Sequence, residues 1–439
     1  MILTILILSL FLRVTNLNQS LWLDEATSAL VAKMDLTDFF SKFIVNDFHP
    51  PLYYLFLHFW ARVVGFGEVP LRVFSVFVGV LTVYFIYKLG FKLKFKNPET
   101  AALLLATSGL HIYYSQEARM YGLATLFVAM AVNYLLEEKW FKFSILIALI
   151  FLTDYVSILI VPALFVFLII SKKNSKWFKN FFLSLLIPAI TFIGWLPIFI
   201  KQLMQGLTVK ETASNWWNIL GVVSLKNILL VPVKFVFGRI TFDNKTIYYS
   251  LAFVLILLFA YIISRSKNKL VWSWFGVSFS LGIILSVFIP TLTYFRYLFI
   301  LPAFYLLISE GLERFRASFS KYLLVVIVIL NLICSGLYLV FPRFQREDWR
   351  SLALNLGGSK IVFPANSQKE GLTYYNKDQN IVSVSDLTEN DQEIYLSRYV
   401  YEIFDQNDST SAKLEKLGYN KVSEDNYNGI VVFRYKLSK

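Results

Sequence analysis

Three short polar groups in this chain could do chemistry. The first is Trp22-Leu23-Asp24-Glu25-Ala26. Two adjacent carboxylates repel, so one of them can hold its proton to higher pH and serve as a base. The alternative reading is a helix start, with Asp24 as cap and Glu25 in the first turn. The second group is Asn46-Asp47-Phe48-His49-Pro50-Pro51. A histidine at a helix start can hydrogen-bond a phosphate or bind a metal, or can be purely structural. The third is Tyr113-Tyr114-Ser115-Gln116-Glu117-Ala118-Arg119-Met120-Tyr121. It is a polar break between two apolar runs, where ionisable residues are functional candidates by default. Glu117 and Arg119 could instead pair with each other as a structural lock. Arg296, in Thr293-Tyr294-Phe295-Arg296-Tyr297, adds a permanent cation, or else a snorkelling interfacial arginine.

The elements that must position these groups are apolar helices. Of the 439 residues 57% are hydrophobic and only 16% charged, against about 45–50% and about 25% in soluble domains. The excess comes in long blocks, so the chain reads as an α-helical polytopic membrane protein. A cytosolic enzyme, a disordered chain and a fibrous repeat are excluded. The single cysteine, Cys334, excludes a disulfide framework and a cysteine zinc site. It lies in an apolar run and reads as a small buried residue. Three histidines without an HExxH pattern argue against a zinc protease. His58 and His111 lie within apolar stretches and are given no role.

The net charge of +13 does not point to nucleic acid. From residue 342 onward there are 13 Lys+Arg against 14 Asp+Glu, so the basic excess belongs to the first 341 residues. It sits in five clusters between apolar runs: Lys92-Lys94-Lys96, Lys139-Lys142, Lys172-Lys173-Lys176-Lys179, Arg265-Lys267-Lys269 and Arg314-Arg316-Lys321. The positive-inside rule places all five in the cytoplasm, so an even number of crossings separates each from the next. That parity splits the apolar stretch from 141 to 171 at Asp154 and keeps Pro51–Gly65 out of the count, as a helix lying in the interface.

About eleven spans result, near 1–14, 69–91, 99–113, 121–137, 141–153, 155–171, 180–200, 246–264, 270–289, 297–312 and 321–340. The first is short, which leaves room for a start upstream of Met1, and no small-residue cleavage site follows it. Residues 1–341 form the transmembrane domain, with the loop 16–69 carrying interfacial helices on the extracytoplasmic side. Residues 342–439 read as a small soluble α/β domain on that same side. Helices are expected over Asp348–Leu356 and Ser411–Gly418. Strands are expected over Lys360–Pro364, Asn380–Val384, Glu393–Ser397 and Gly429–Tyr435. No long-period repeat is visible.

This topology gathers the carboxylates Asp24, Glu25, Asp47 and Glu117 with the cations Arg119, Arg296 and His49 on one face. The set suits transfer of a group from a phosphate leaving group to a hydroxyl or amine: a carboxylate takes the acceptor proton and cations stabilise the phosphate. Nucleotide-activated donors are made inside the cell, so a site outside needs a donor carried on a lipid phosphate. Consistently, the chain contains no Asp-x-Asp.

The motifs Leu21-Trp22-Leu23-Asp24-Glu25-Ala26, Asp47-Phe48-His49-Pro50-Pro51-Leu52-Tyr53-Tyr54 and Tyr114-Ser115-Gln116-Glu117-Ala118-Arg119-Met120-Tyr121 occur in the order seen in prokaryotic membrane glycosyltransferases of the GT-C class. The chain thereby resembles protein O-mannosyltransferases and the lipid A aminoarabinose transferase. Arg296-Tyr297-Leu298 with Pro302, and Glu347-Asp348-Trp349-Arg350, extend the resemblance over nearly the whole chain.

The resemblance implies a polyprenyl-phosphate-linked sugar donor and inverting transfer to a protein, lipid or glycan acceptor on the outer face of the cell membrane. Asp24 matches the acidic residue of the first outer loop, the expected base, with Glu25 and Glu117 as further catalytic candidates. His49 stands where aminoarabinose transferases carry a lysine near the lipid phosphate. Asp47, Tyr114, Gln116, Arg119 and Arg296 complete the expected substrate-binding set. Asp154-Tyr155 stands where relatives often have His-Tyr. No cofactor is assigned, a divalent metal ion is possible, and no nucleic acid is expected. A lipid-linked sugar transporter or flippase, and a non-catalytic glycan-assembly subunit, are the rivals. The first needs polar residues through the full membrane depth, and the second tolerates loss of Asp24.

Overall fold

The computed structural model describes residues 1–212, 221–364, 368–388 and 391–438. The apolar runs are helices. In chain order they are α1 (Ile2–Val14), α2 (Leu23–Lys33), α3 (Leu52–Val64), α4 (Glu68–Lys92), α5 (Glu99–Thr107), α6 (Gly109–Ser115), α7 (Tyr121–Leu136), α8 (Trp140–Thr153), α9 (Ile160–Ile170), α10 (Ser175–Ser184), α11 (Leu186–Thr212), α12 (Leu225–Phe237), α13 (Lys245–Ser264), α14 (Ser278–Phe288), α15 (Leu301–Leu312) and α16 (Ala317–Val340). Five helical stretches are long and apolar enough to cross a membrane: Glu68–Lys92, Ser175–Thr208, Lys245–Ser264, Lys269–Phe288 and Ala317–Val340. The rest are shorter, so length alone does not reproduce the expected eleven. With its fold, described below, this is a multi-pass membrane protein.

The basic clusters converge on one end of the bundle, as parity requires. At that end Lys92 and Lys139 both bind the Glu137 carboxylate. The Asn97 amide donates to Glu313 Oε1 at 3.0 Å. Lys269 donates to the Ile170 carbonyl at 2.8 Å. The amides of Lys267 and Asn268 donate to Glu310 Oε2 at 3.1 and 3.0 Å. Helix α4 runs from this end to the opposite one, where Arg72 lies.

The expected span 99–113 is two helices. Ser108 is extended (φ −63°, ψ 118°) and breaks it into α5 and α6. A break at that depth orphans carbonyls that water cannot reach, so other helices must supply donors. Arg13 Nη1 donates to the Ala106 carbonyl at 3.0 Å, Asn331 Nδ2 to that of Leu104 at 3.1 Å, and Ser335 Oγ to that of Thr107 at 2.7 Å. The buried Arg13 also meets His111 Nδ1 at 2.6 Å. The break aims α6 so that the 114–120 segment ends beside α2. Cys334 is buried against this region.

Pro51 opens α3, which ends at Gly65 (φ 104°), a conformation that only glycine adopts without strain. Its buried face carries Tyr53, Tyr54, Leu57 and Ala61, while Phe59 and Val63 are exposed. That amphipathic pattern is what an interfacial helix needs.

The C-terminal unit begins with α17 (Trp349–Leu356), capped by Asp348, which accepts from the Ser351 amide at 3.0 Å. Strands β1 (Lys360–Val362), β2 (Ile381–Val382), β3 (Glu393–Ser397), β4 (Tyr419–Tyr427) and β5 (Ile430–Leu437) form one sheet in the order β2-β1-β3-β5-β4. β1 is parallel to both β2 and β3, and β5 is antiparallel to β3 and β4. Helix α18 (Glu370–Tyr374) joins β1 to β2, and α19 (Ser409–Lys416) precedes β4.

The expected strands and both helices are present, with no end shifted by more than two residues and β3 at its expected bounds. Strand β4 and helix α18 were not anticipated. β4 is mostly exposed and polar on both faces, so it has no period-2 apolar signal. The turn that specifies it, Asn428-Gly429 with φ 52° and 103°, is the strongest short hairpin signal there is.

Candidate active site

Helix α2 positions the first pair of carboxylates and sends them in different directions. One residue along a helix is about 100° of rotation. Asp24 remains partly exposed, whereas Glu25 is fully buried. Asp24 is no cap, because α2 starts at Leu23 and Trp22 is its N-cap.

Glu25 is the hub of a charged network. Arg72 grips it with Nε to Oε1 at 2.9 Å and Nη2 to Oε2 at 2.5 Å. The Ala118 amide donates to Oε1 at 2.8 Å, and Arg346 Nε lies 3.1 Å from Oε2. Burial raises the Glu25 pKa, but the Arg72 and Arg346 guanidinium groups outweigh it and hold the carboxyl below its ordinary value. This corrects the expectation that Glu25 repels Asp24 and raises the proton affinity of the pair. Glu25 faces two cations instead, and both its oxygens are committed.

Arg346 ties the C-terminal unit into this network. Its Nη1 donates to Tyr338 Oη at 2.9 Å and its Nη2 to the Tyr113 carbonyl at 3.1 Å. Leu23 of α2 packs into the same apolar cluster as Trp349 and Leu352 of α17. Glu347 accepts from Tyr399 Oη at 2.8 Å and Trp349 Nε1 at 3.0 Å, and burial raises its pKa.

Asp24 belongs to a second cluster that unites all three sequence motifs. Arg119 Nη2 lies 3.4 Å from Asp24 Oδ2. Arg119 Nη1 donates to Tyr54 Oη at 3.2 Å, and Tyr54 Oη donates to Asp47 Oδ2 at 3.0 Å. His49 Nδ1 is 3.3 Å from Asp47 Oδ1, and His49 Nε2 is 3.4 Å from Arg119 Nη2. A guanidinium can only donate, so His49 Nε2 accepts and its proton sits on Nδ1, toward Asp47. Burial raises the Asp47 pKa, yet His49 and Arg119 pull it below the ordinary value. Gln202 of α11 donates to the Ile44 and His49 carbonyls at 2.6 and 3.1 Å and braces that loop.

Glu117 stands apart from its neighbours. It is 1% exposed and neither carboxylate oxygen has a hydrogen-bond partner among the described residues. Burial pushes its pKa up, to about 7, with Arg346 and Arg119 opposing and Glu25 and Asp24 assisting. It does not pair with Arg119, which removes the structural-lock reading.

The remaining expected residues are placed differently. Gln116 Nε2 donates to the Arg13 and Thr15 carbonyls at 2.9 and 2.7 Å, and its Oε1 accepts from Tyr338 Oη at 2.8 Å. Its amide braces these segments against one another. Tyr114 is buried among Tyr113, Tyr121 and Phe295. Arg296 donates to the Pro290 carbonyl at 2.8 Å and makes no salt bridge among the described residues. Asp154 accepts from the Ser157 amide at 2.9 Å and its hydroxyl at 2.5 Å, which makes it a turn cap. No group of three or more His, Cys, Asp or Glu side chains among the described residues is placed to hold a metal ion.

Sequence reading missed Arg72, Arg346 and Arg239. An arginine in an apolar span was signal enough for Arg72. Nothing local marks Arg346. Arg239 lies 4.9 Å over the Tyr113 ring and donates to Tyr294 Oη.

A family model described as dolichyl-phosphate-mannose-protein mannosyltransferase matches residues 48–200. That stretch includes His49, Glu117, Arg119 and Asp154 but not Asp24. The whole fold is similar to that of ArnT from Cupriavidus metallidurans. The apo state aligns with a TM-score of 0.59, and the state bound to undecaprenyl phosphate with 0.56. Each is 12% identical and covers 99% of this chain and 97% of that one. The Pmt1-Pmt2 complex of S. cerevisiae bound to its sugar donor aligns at 17% identity over 46% of this chain and 33% of that one. Its TM-score of 0.37 is too low to carry the fold. No curated protein matches the chain significantly in sequence. The chain is thus similar to a membrane mannosyltransferase family over residues 48–200 and to ArnT in its fold.

Proposed function

We propose that this protein transfers a sugar from a polyprenyl-phosphate carrier to a hydroxyl or amine of a protein, lipid or glycan acceptor, on the extracytoplasmic face of the cell membrane. The observation that carries this reading is the cluster joining Asp24, Arg119, Tyr54, Asp47 and His49. It brings a partly exposed carboxylate and a buried guanidinium from three separate segments to one place, at the end of the bundle opposite the basic clusters. The undecaprenyl phosphate in the ArnT structure supports a lipid phosphate as the donor's leaving group.

Asp24 is the base in this mechanism. It takes the proton of the acceptor as the acceptor's oxygen or nitrogen forms a bond to the anomeric carbon. The bond from that carbon to the carrier phosphate breaks, and the phosphate leaves with the electron pair. Attack opposite the leaving group inverts the anomeric centre. Arg119 and Arg296 stabilise the charge that develops on the phosphate.

His49 approaches a phosphate as a donor only when its Nε2 carries a proton, which requires release from Arg119. Asp47 and Tyr54 hold Arg119 and His49 in place. Glu25 acts as a positioning residue through Arg72 and the Ala118 amide, setting the segment that carries Glu117 and Arg119. Glu117 keeps its proton near neutral pH and can return it to a group that arrives beside it.

The test is a transfer assay on purified protein with radiolabelled polyprenyl-phosphate sugars. Label moving to an acceptor supports the reading. Absence of transfer, together with carrier flipping in proteoliposomes, would replace it with a transporter.

A further inference from the structure

The C-terminal unit has a cleft that the reading above does not use. It lies outside the carboxyl ends of the parallel strands β1 and β2, lined by Phe363 and Pro364 after β1, Ser383 to Ser385 after β2, and Lys413 and Lys416 of α19. Its volume is about 630 Å³, within the range of small-molecule sites. β1 lies between β2 and β3 in the sheet, and the cleft opens on its β2 side.

The polar groups of the cleft divide into two kinds. Lys413 and Lys416 are exposed and form no ion pair among the described residues, so they offer two cations one helical turn apart. Ser383 Oγ donates to Asp386 Oδ2 at 2.6 Å, and Ser385 Oγ lies 2.7 Å from Ser383 Oγ and 3.3 Å from Asp386 Oδ1. With both protons spent within this loop, the hydroxyls present oxygens that accept. The walls between them are apolar: Phe363, Pro364, Val384, Leu387 and Leu417.

A ligand matching this pattern has an anionic group for the lysines, hydroxyls that donate to the serine oxygens, and a ring with apolar faces. We propose that the cleft binds an acidic sugar, a saccharide ring carrying a phosphate or carboxylate. The cleft shares no residue with the Asp24 cluster, and the proposal does not rest on the transferase reading.

The test is ligand-observed NMR with the purified full-length chain in nanodiscs. The probes are glucose 1-phosphate and glucuronate, with glucose and inorganic phosphate as controls. Both acidic sugars are expected to bind at millimolar concentration or tighter, and more tightly than either control. The Lys413→Glu/Lys416→Glu variant, at exposed positions, is expected to lose about tenfold or more of that affinity. Folding of the variant is checked by an unchanged melting temperature. Absence of binding up to about 10 mM, or equal binding by the charge-reversed variant, overturns the proposal. Inorganic phosphate binding as tightly as glucose 1-phosphate shows a bare anion site and overturns it as well.

Discussion

Arg119 Nη2 lies 3.4 Å from Asp24 Oδ2, while Glu117, two residues before Arg119, meets no hydrogen-bond partner among the described residues. One carboxylate of the site thus stands beside a cation and open to an acceptor. The other is buried, and burial pushes its pKa up to about 7. Two carboxylates in such different settings have separable roles, and each can be tested by itself.

Asp24→Asn keeps shape and hydrogen bonding but removes the base. Turnover is expected to fall roughly 10²–10⁴-fold, the range of general-base contributions, with donor binding retained. Asp24 is not a helix cap and its asparagine can still accept from Arg119, so only a small loss of stability should accompany the change. Equal turnover by variant and parent at matched expression assigns the base to Glu117.

Arg119→Lys and Arg296→Lys each keep the charge and lose the planar fork. A charge-assisted hydrogen bond is worth about 1.5–3 kcal/mol, so each variant should weaken use of the donor by roughly tenfold or more. Arg119→Lys should also disturb Tyr54 and His49, whereas Arg296 has only the Pro290 carbonyl to lose. Steady-state kinetics with varied donor measures both. Unchanged KM and kcat in both variants would place the phosphate elsewhere.

Glu25→Gln leaves Arg72 and Arg346 buried without their anion. Breaking a buried pair from one side costs about 3–5 kcal/mol. The variant should melt well below the parent in detergent, and activity should fall with it. A variant as stable as the parent would show that the network is not what joins α2 to the C-terminal unit.

The pH dependence of stability has a defined sign at Glu117. Its folded pKa, about 7, lies above the ordinary carboxylate value. Between that ordinary value and pH 7 the folded protein holds a proton that the unfolded chain has released. Stability from this group is therefore complete at acid pH and declines as pH rises to about 7. The span corresponds to roughly 3 kcal/mol. Glu117→Gln should remove this decline and melt above the parent at pH 8. Parallel curves for the two proteins would mean that Glu117 is solvated.

Sidedness is tested by labelling. Lys96 is exposed at the basic end and Leu354 is exposed on α17. With Cys334 replaced by alanine, an impermeant maleimide applied to intact cells should label Leu354→Cys and leave Lys96→Cys unlabelled. The reverse pattern would turn the protein over and move the site to the cytoplasm.

The sequence by itself determined the class and the coarse layout. A bilayer demands long apolar runs and sorts Lys and Arg to one side, so composition and five basic clusters sufficed to put their loops at one end. The three motifs were legible because acidic and basic residues are rare among apolar runs, and their order carried the resemblance to GT-C enzymes. Only the tertiary structure decided what each residue does. Asp24 and Glu25 are neighbours in sequence, but the helical rotation turns one toward Arg119 and the other toward Arg72. Gln116 and Glu117 are likewise adjacent, yet one is spent on Arg13 and Thr15 while the other has no hydrogen-bond partner among the described residues. Arg346 comes from a distant part of the chain, so no local pattern announces it. Side-chain identity and spacing name the groups available for chemistry. Their burial and partners, which set protonation and access, come from segments that meet only when the chain is folded.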